Sequence, residues 1–370
     1  MFFCSPGVYA QKKAFYKWTE FVIGADMSYV NEIEDAGGVF KINGRKKDPF
    51  LILKSVGVNT MRVRLWNHPA WKLPLTGGKL YSDLQDVEKT IRRAKAAGMA
   101  INLDLHYSDT WADPAHQLTP AAWNNLSFDV LKDSVYQYTL EVLNHLKVKS
   151  LVPEMIQIGN ETNNGMLWPQ GKTNGNEGWE SFAALLNTGI KAVKDFSKTS
   201  AVQPQIIIHV AQLQDAENWL KQLMQNGVKD FDILGLSHYY QWSAYHDMNL
   251  AGKKTDSLRM LCKKKIMIVE TAVPWTAADA DSYTNILVAD KKIDRLYEVS
   301  VKGQQHYLDD LIAVTVKNGG SGIMYWEPCW ITSSMQDPWG KGSAWDNAAW
   351  FDFTGNLHKG LMFIKTRKKS

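Results

Sequence analysis

Eight short apolar runs, separated by stretches with helical spacing, limit this chain to very few folds. The runs cover residues 21–28, 60–66, 100–106, 155–158, 205–210, 233–238, 265–270 and 322–326. Most are nearly continuous in apolar, β-prone residues, the pattern of strands buried on both faces of a parallel sheet. Between them, residues 48–56, 82–97, 128–146, 179–196, 217–224 and 304–317 read as helices, the first two stopped by Gly57 and Gly98. Length alone, 370 residues, fits two domains or one elaborated barrel. No Pro/Ser/Gly-rich linker interrupts the alternation, so it predicts a single (β/α)₈ barrel over residues 21–370. A doubly wound open sheet would carry a glycine-rich phosphate turn after its first strand, and Gly24-Ala25-Asp26 is no G-x-G-x-x-G.

A barrel of this kind does its chemistry at the C-terminal ends of its strands. Those ends carry Asp26; Arg64 and Trp66; His106, Asp109 and Trp111; Asn160 and Glu161; His238, Tyr239 and Tyr240; Glu270; and Trp326 with Glu327. The N-terminal ends are bland. Two glutamates on separate strands, the first preceded by Asn, suit the cleavage of an acetal. One must be protonated to donate to the leaving oxygen, and the other ionised to attack the anomeric carbon. Arg64 is expected near Glu270, holding it ionised, and Asn160 is expected on the sugar 2-hydroxyl. A carboxylate spacing of roughly 5 Å would mean retention of configuration. Many of the 15 Trp lie in predicted loops beside Asp, Asn and His, where an indole stacks on a sugar ring or packs into the core.

Other classes fit less well. His106, His209 and His238 near strand ends raise a metal-dependent hydrolase, but the first strand offers Gly24-Ala25-Asp26-Met27 and no H-x-H pair. A non-catalytic glycan-binding barrel would keep the aromatics and lose one glutamate. Net charge is +4, with much of the excess in the tail 365–369, which argues against a nucleic-acid partner. No apolar run reaches the ~20 residues that span a bilayer. Residues 1–11 look like the end of a signal peptide, with Val8 and Ala10 before a cleavage point and Gln11-Lys12-Lys13 after it. Residues 1–20 are therefore read as a residual leader and the protein as exported: periplasmic, cell-surface or secreted. Cys4 would leave with the leader. Cys262 and Cys329 fall at opposite ends of their strands, beyond disulfide reach.

Several long motifs resemble one family within the clan of retaining barrel glycosidases. They are GADMSYV at 24–30, GVNTMRVRLW at 57–66, LDLHYSDTWADPAHQ at 103–117, QIGNETNNGMLWP at 157–169, ETAVPWT at 270–276 and YWEPCWI at 325–331. That family is the endo-β-1,4-galactanases of glycoside hydrolase family 53. The resemblance implies Glu161 as general acid/base and Glu270 as nucleophile. It implies Arg64, His106, Asn160, His238, Tyr240 and Trp326 around the cleaved bond, and Asp26, Trp66, Asp109, Trp111, Trp168 and Trp350 along the chain. The implied substrate is the neutral β-1,4-galactan side chain of pectin, cleaved by a monomer; the same mechanism on mannan or cellulose is the near alternative. Bacterial members also resemble this chain in a structural calcium site. Here Asp279, Asp281 and Asn285, with Ser343 and Asp346, would supply the hard oxygen donors that Ca²⁺ prefers. Tyr283 stands where some relatives have His.

Overall fold

The computed structural model describes residues 20–288 and 296–362; the leader-like segment 1–19 lies outside the described residues. Eight parallel strands close into one barrel in sequence order, β8 pairing with β1. They are β1 Val22–Asp26, β2 Thr60–Leu65, β3 Ala100–Leu105, β4 Met155–Ile158, β5 Gln205–Ala211, β6 Ile233–Ser237, β7 Lys265–Glu270 and β8 Gly322–Tyr325. The first crossover carries α1 Val30–Asp35 and α2 Pro49–Ser55. Then follow α3 Leu84–Ala96, α4 Phe128–Val148, α5 Gly175–Ser197, α6 Leu213–Gln225, α7 Met248–Cys262 and α8 Val301–Lys317. Side chains of Asp48, Asp83, Ser127, Asp247 and Ser300 cap α2, α3, α4, α7 and α8 by accepting first-turn N–H groups. Cys262 and Cys329 are both free and buried. No described helix is long and apolar enough to cross a membrane.

The barrel interior is graded, and the gradient places the site. At the N-terminal end Val22, Ala100, Met155, Ile207, Ile233, Met267 and Met324 pack as an apolar plug, separate from the larger core between strands and helices. Each of the Val, Ile and Met side chains among them, kept from water, contributes about 1.5–3 kcal/mol. Strand side chains alternate with period two, so the inward face continues two residues further on. There it turns polar: Ala100 leads to Asn102 and Asp104, Met155 to Gln157, Ile207 to His209, and Ile233 through Gly235 to Ser237, all buried. Glu270 breaks the alternation, because Val269 already faces the plug. A bulge resolves this: Leu236 pairs with Ile268, but Ser237 pairs with Glu270. One extra residue on β7 turns the glutamate back toward the barrel axis.

The helix α7 departs from the sequence expectation, which placed none between β6 and β7. Gly252, Lys253 and Lys254 interrupt its apolar stripe. The glycine is there because α7 lies close against α8: a Cβ at 252 would run into Val314 and Asn318. After β8 the chain crosses the C-terminal face and knits to the loop after β7. Trp275 N–H donates to Asn347 O (2.7 Å) and Ile286 N–H to Ala344 O (3.0 Å).

Candidate active site

The polar end of the barrel opens into a cleft of about 760 Å³. At its floor lies Arg62, buried on the inner face of β2. Its Nη1 donates to Asp26 Oδ2 (2.7 Å), and its Nη2 reaches Asp104 Oδ2 (2.7 Å), Asn160 Oδ1 (2.8 Å) and Glu270 Oε1 (2.8 Å). Burial works against the guanidinium charge, but Asp104, Glu270 and Asp26 outweigh it and raise its pKa above the ordinary value. Tyr239 Oη donates to the other oxygen of Glu270 (2.9 Å). Both oxygens of this carboxylate are thus held by donors, the arrangement that orients and ionises an attacking group.

Glu161 follows β4 with φ of 45°, a left-handed conformation that non-glycine residues seldom adopt and that costs on the order of 1–3 kcal/mol. Ser237 Oγ donates to its Oε1. Burial, then the neighbouring Glu270 charge, pushes Glu161 up to about 8. Glu270 is raised less, to about 7, because Arg62 and Tyr239 oppose the effect of burial. Two donors on Glu270, Arg62 and Tyr239, against the single Ser237 hydroxyl on Glu161, favour Glu270 as the ionised member of the pair. An oxygen of Glu161 and an oxygen of Glu270 lie within 4.8 Å of one another. That fits the short separation of a double displacement, while an inverting pair needs roughly 6.5–9.5 Å for an intervening water. His209 completes this cluster, and burial, then the Arg62 charge, lowers its pKa well below the ordinary value.

The cleft gathers many of the residues expected from sequence: Asp26, Arg64, His106, Trp111, Asn160, Glu161, Glu270 and Trp326 all line it. Asn160 donates to Ala112 O (2.8 Å), and His106 accepts from Ala112 N–H at Nδ1 (3.1 Å), so its Nε2 carries the proton shared with Asp104 (3.1 Å). Trp111 and Trp326 meet at 5.9 Å.

Other expectations need correction. Arg64 does not touch Glu270; it pairs with Glu327 (2.8 Å) and is caged by the rings of Tyr29, Trp111 and Trp66. Trp66 is fully buried behind it. Tyr240 points away from the cleft into a cluster with His246, Tyr297 and Tyr307, and it is Tyr239 that lines the cleft beside Glu270. His238 is buried outside the cleft wall, and burial, then His246, lowers it to about 4. Trp350 packs under Tyr325 (4.9 Å), while Trp345 lines the cleft in its place. Asp109 orders the loop after β3, accepting from the N–H groups of His68 and Ala121. Trp168 donates to Asn164 O and carries Lys172 on its ring, off the cleft wall. Sequence reasoning gave no role to Arg62, Trp242, Asp337 or Trp339, named Tyr239 at the rim without choosing it, and considered Tyr283 only for the calcium loop. Arg62 and Tyr239 were accessible through the alternation of the strands; the others sit in irregular loops.

Above the cleft, the acidic loop after β7 meets the crossing after β8. Asn285 Nδ2 donates to Asp346 Oδ1 (2.8 Å) and to Asp279 Oδ1, while Asn285 Oδ1 is buried with no partner among the described residues. Asp281 instead accepts from Ser343 N–H (2.9 Å), Tyr283 N–H (2.8 Å) and Thr332 Oγ1, and Ser343 Oγ donates to Trp330 O. Burial, together with the charges of Asp281 and Asp279, raises Asp346 to about 6 against its hydrogen bonds from Asn285 and Ala280.

Known proteins resemble this chain in sequence and in fold. The model of the family described as Glycosyl hydrolase family 53 matches residues 22–364. An arabinogalactan endo-beta-1,4-galactanase of Cellvibrio japonicus is 41% identical over 351 residues, covering 94% of this chain and 91% of that protein. An endo-beta-1,4-galactanase of Bacillus subtilis is 33% identical, covering 91% and 83%. Among solved structures, an Ignisphaera aggregans GH53 catalytic domain superposes with a TM-score of 0.85 at 35% identity, over 94% of this chain and 96% of that one.

Proposed function

The chain belongs to glycosyl hydrolase family 53, and from that premise we propose that it is an endo-acting, retaining β-1,4-galactanase whose two working carboxyl groups are Glu161 and Glu270. In the first step a Glu270 oxygen bonds to the anomeric carbon as the bond to the leaving sugar breaks, and the Glu161 proton passes to the leaving oxygen. In the second, Glu161 takes a proton from water as it attacks the same carbon and frees Glu270. The observation that carries this reading is the close approach of the two carboxyl groups with different partners: Arg62 and Tyr239 on Glu270, Ser237 on Glu161. Trp326, Trp339 and Trp242 supply indoles along the cleft for pyranose rings. The polymeric substrate, the galactan side chain of pectin, calls for an exported enzyme. Reducing-sugar release tests the substrate directly. Linear β-1,4-galactan is expected to be cleaved to galacto-oligosaccharides while mannan, xylan and carboxymethylcellulose are not; activity on another glycan alone contradicts the assignment.

The raised carboxyl groups also give a pH prediction. Glu161 must hold its proton to start the reaction, so kcat/KM falls as pH rises through its elevated pKa. Glu270 must be ionised, so activity also falls toward acid. The expected profile is a bell whose alkaline limb lies well above the range of an ordinary carboxylic acid; a limb near pH 5 contradicts the acid role of a buried Glu161.

We further propose that calcium joins the loops after β7 and β8. Asp279, Asn285 and Asp346 fit it: two carboxylates converge on one amide, whose N–H groups stand where a cation would, and turning that amide brings the unpartnered Oδ1 between them. Asp281 and Ser343 would join the shell only by giving up their present hydrogen bonds. Tyr283 turns its hydroxyl to Asp337 (2.9 Å to both oxygens), leaving only its backbone carbonyl for the cation. Bound calcium would stabilise the loops, with no part in bond cleavage. Millimolar Ca²⁺ is expected to raise the thermal midpoint above that measured in EDTA, and Asp346→Ala to erase the difference. Equal midpoints with and without Ca²⁺ would dismiss the site.

A further inference from the structure

The acid/base glutamate is clamped at both ends by one imidazole. Glu161 donates its backbone N–H to His209 Nδ1 (3.2 Å), and Gln157 Nε2 lies 3.1 Å from the same nitrogen. Two N–H donors converging on Nδ1 put its lone pair there and the ring proton on Nε2. Asn160 Oδ1, also near Nδ1 at 3.0 Å, has its own donor in Arg62 Nη2. The Nε2–H then donates to Ser237 Oγ (2.9 Å), and the Ser237 hydroxyl is left to donate to Glu161 Oε1. The carbonyl of His209 holds the next residue as well, accepting from Thr162 N–H (3.0 Å) and Thr162 Oγ1 (2.9 Å). The left-handed backbone of Glu161 and the rotamer of its carboxyl group are therefore set by the same two side chains, neither of which lines the cleft.

We infer that Ser237 and His209 are a positioning pair for the acid/base, acting through Glu161 and not on substrate. The Ser237 hydroxyl occupies Oε1, so the transferable proton rides on Oε2. In the second step the same hydrogen bond steadies the ionised carboxylate while Oε2 takes a proton from water. This deepens the two-glutamate reading and rests on it. The groups facing Glu161 are Glu270 from β7, Ser237 from β6, His209 from β5, Arg62 from β2 and Asp113 from the loop after β3. Of these, Ser237 and Arg62 favour the ionised carboxylate, while the two acidic groups disfavour it.

The test uses leaving groups that differ in their need for an acid. Ser237→Ala is expected to lower kcat/KM on β-1,4-galactan about 10-fold or more, a part of the roughly 10²–10⁴-fold that a positioned general acid contributes. On a 2,4-dinitrophenyl β-galactobioside, whose leaving group needs no proton, kcat/KM should change less than about 3-fold. The alkaline limb on galactan should move upward, because a donor to the ionised carboxylate is gone. Ser237→Thr, which keeps the hydroxyl, should restore most of the galactan activity. Equal losses on both substrates, or no loss on either, overturn the positioning role while leaving the galactanase reading intact. Wild-type enzyme inert on galactan overturns that reading first, and the pair's role with it.

Discussion

Glu270→Gln is expected to reduce galactan turnover by on the order of 10⁴-fold or more, with the fold retained. The amide cannot form the glycosyl ester, and no other carboxylate in the cleft stands where it could. Glu161 is the acid/base of the pair, and Asp26 and Asp104, which share Arg62 with Glu270, are both turned onto that guanidinium. The variant should also move the other glutamate. The Glu270 charge is the second cause, after burial, of the raised Glu161 pKa, so its loss lets Glu161 titrate lower. Carbon NMR of the labelled carboxyl group would show that fall. A variant retaining more than a few per cent of wild-type turnover would remove Glu270 from the mechanism.

Arg62→Met is expected to be the most damaging single change to the molecule as a whole. It leaves Asp26, Asp104 and Glu270 buried without the guanidinium that donates to all three, and Arg64 is held by Glu327. Breaking a buried ion pair from one side costs about 3–5 kcal/mol, because the surviving charge is stranded in low dielectric. Denaturant unfolding at pH 7 should show this loss. The sign of its pH dependence follows from the carboxylates. Without Arg62 the raised pKa of Glu270 rises further, so this part of the destabilisation grows as pH rises through that pKa and shrinks as pH falls and Glu270 protonates. Activity should be lost too, since Glu270 is no longer held ionised; Arg62 is the first group that opposes its burial. A methionine variant as stable as wild type at pH 7 would mean that the network contributes nothing.

These two residues also mark where the sequence could and could not be read. The eight strands stood out because a closed barrel buries them on both faces, leaving short apolar runs that polar loops cannot mimic. The helix α7 was hidden by the glycine and lysines that fit it against α8. At the rim, Glu161 and Glu270 were legible as carboxylates ending apolar runs, but the choice of partners failed in a consistent way. Arg62 and Arg64 both lie on the inward face of β2, so alternation alone does not separate them. Arg64 sits one layer higher, where Glu327 and three aromatic rings capture it. Tyr239 shares its parity with Ser237, and strict counting from β6 would have preferred it to Tyr240. The bulge that turns Glu270 inward has no signature in the run Lys265–Glu270. Trp345 and Trp350 lie in one irregular crossing, where no period decides which indole reaches the cleft.

The central claim is a covalent galactosyl ester on Glu270, formed with acid help from Glu161. Incubation with a 2-deoxy-2-fluoro-β-galactobiosyl fluoride, followed by proteolysis and mass spectrometry, tests it most directly. The fluorine at C2 slows both steps while the good leaving group lets the first proceed, so the intermediate accumulates. The expected result is one added fluoroglycosyl group, carried by the peptide that contains Glu270 and absent from Glu270→Gln. An adduct on Glu161, or none at all while galactan is being hydrolysed, would contradict the account.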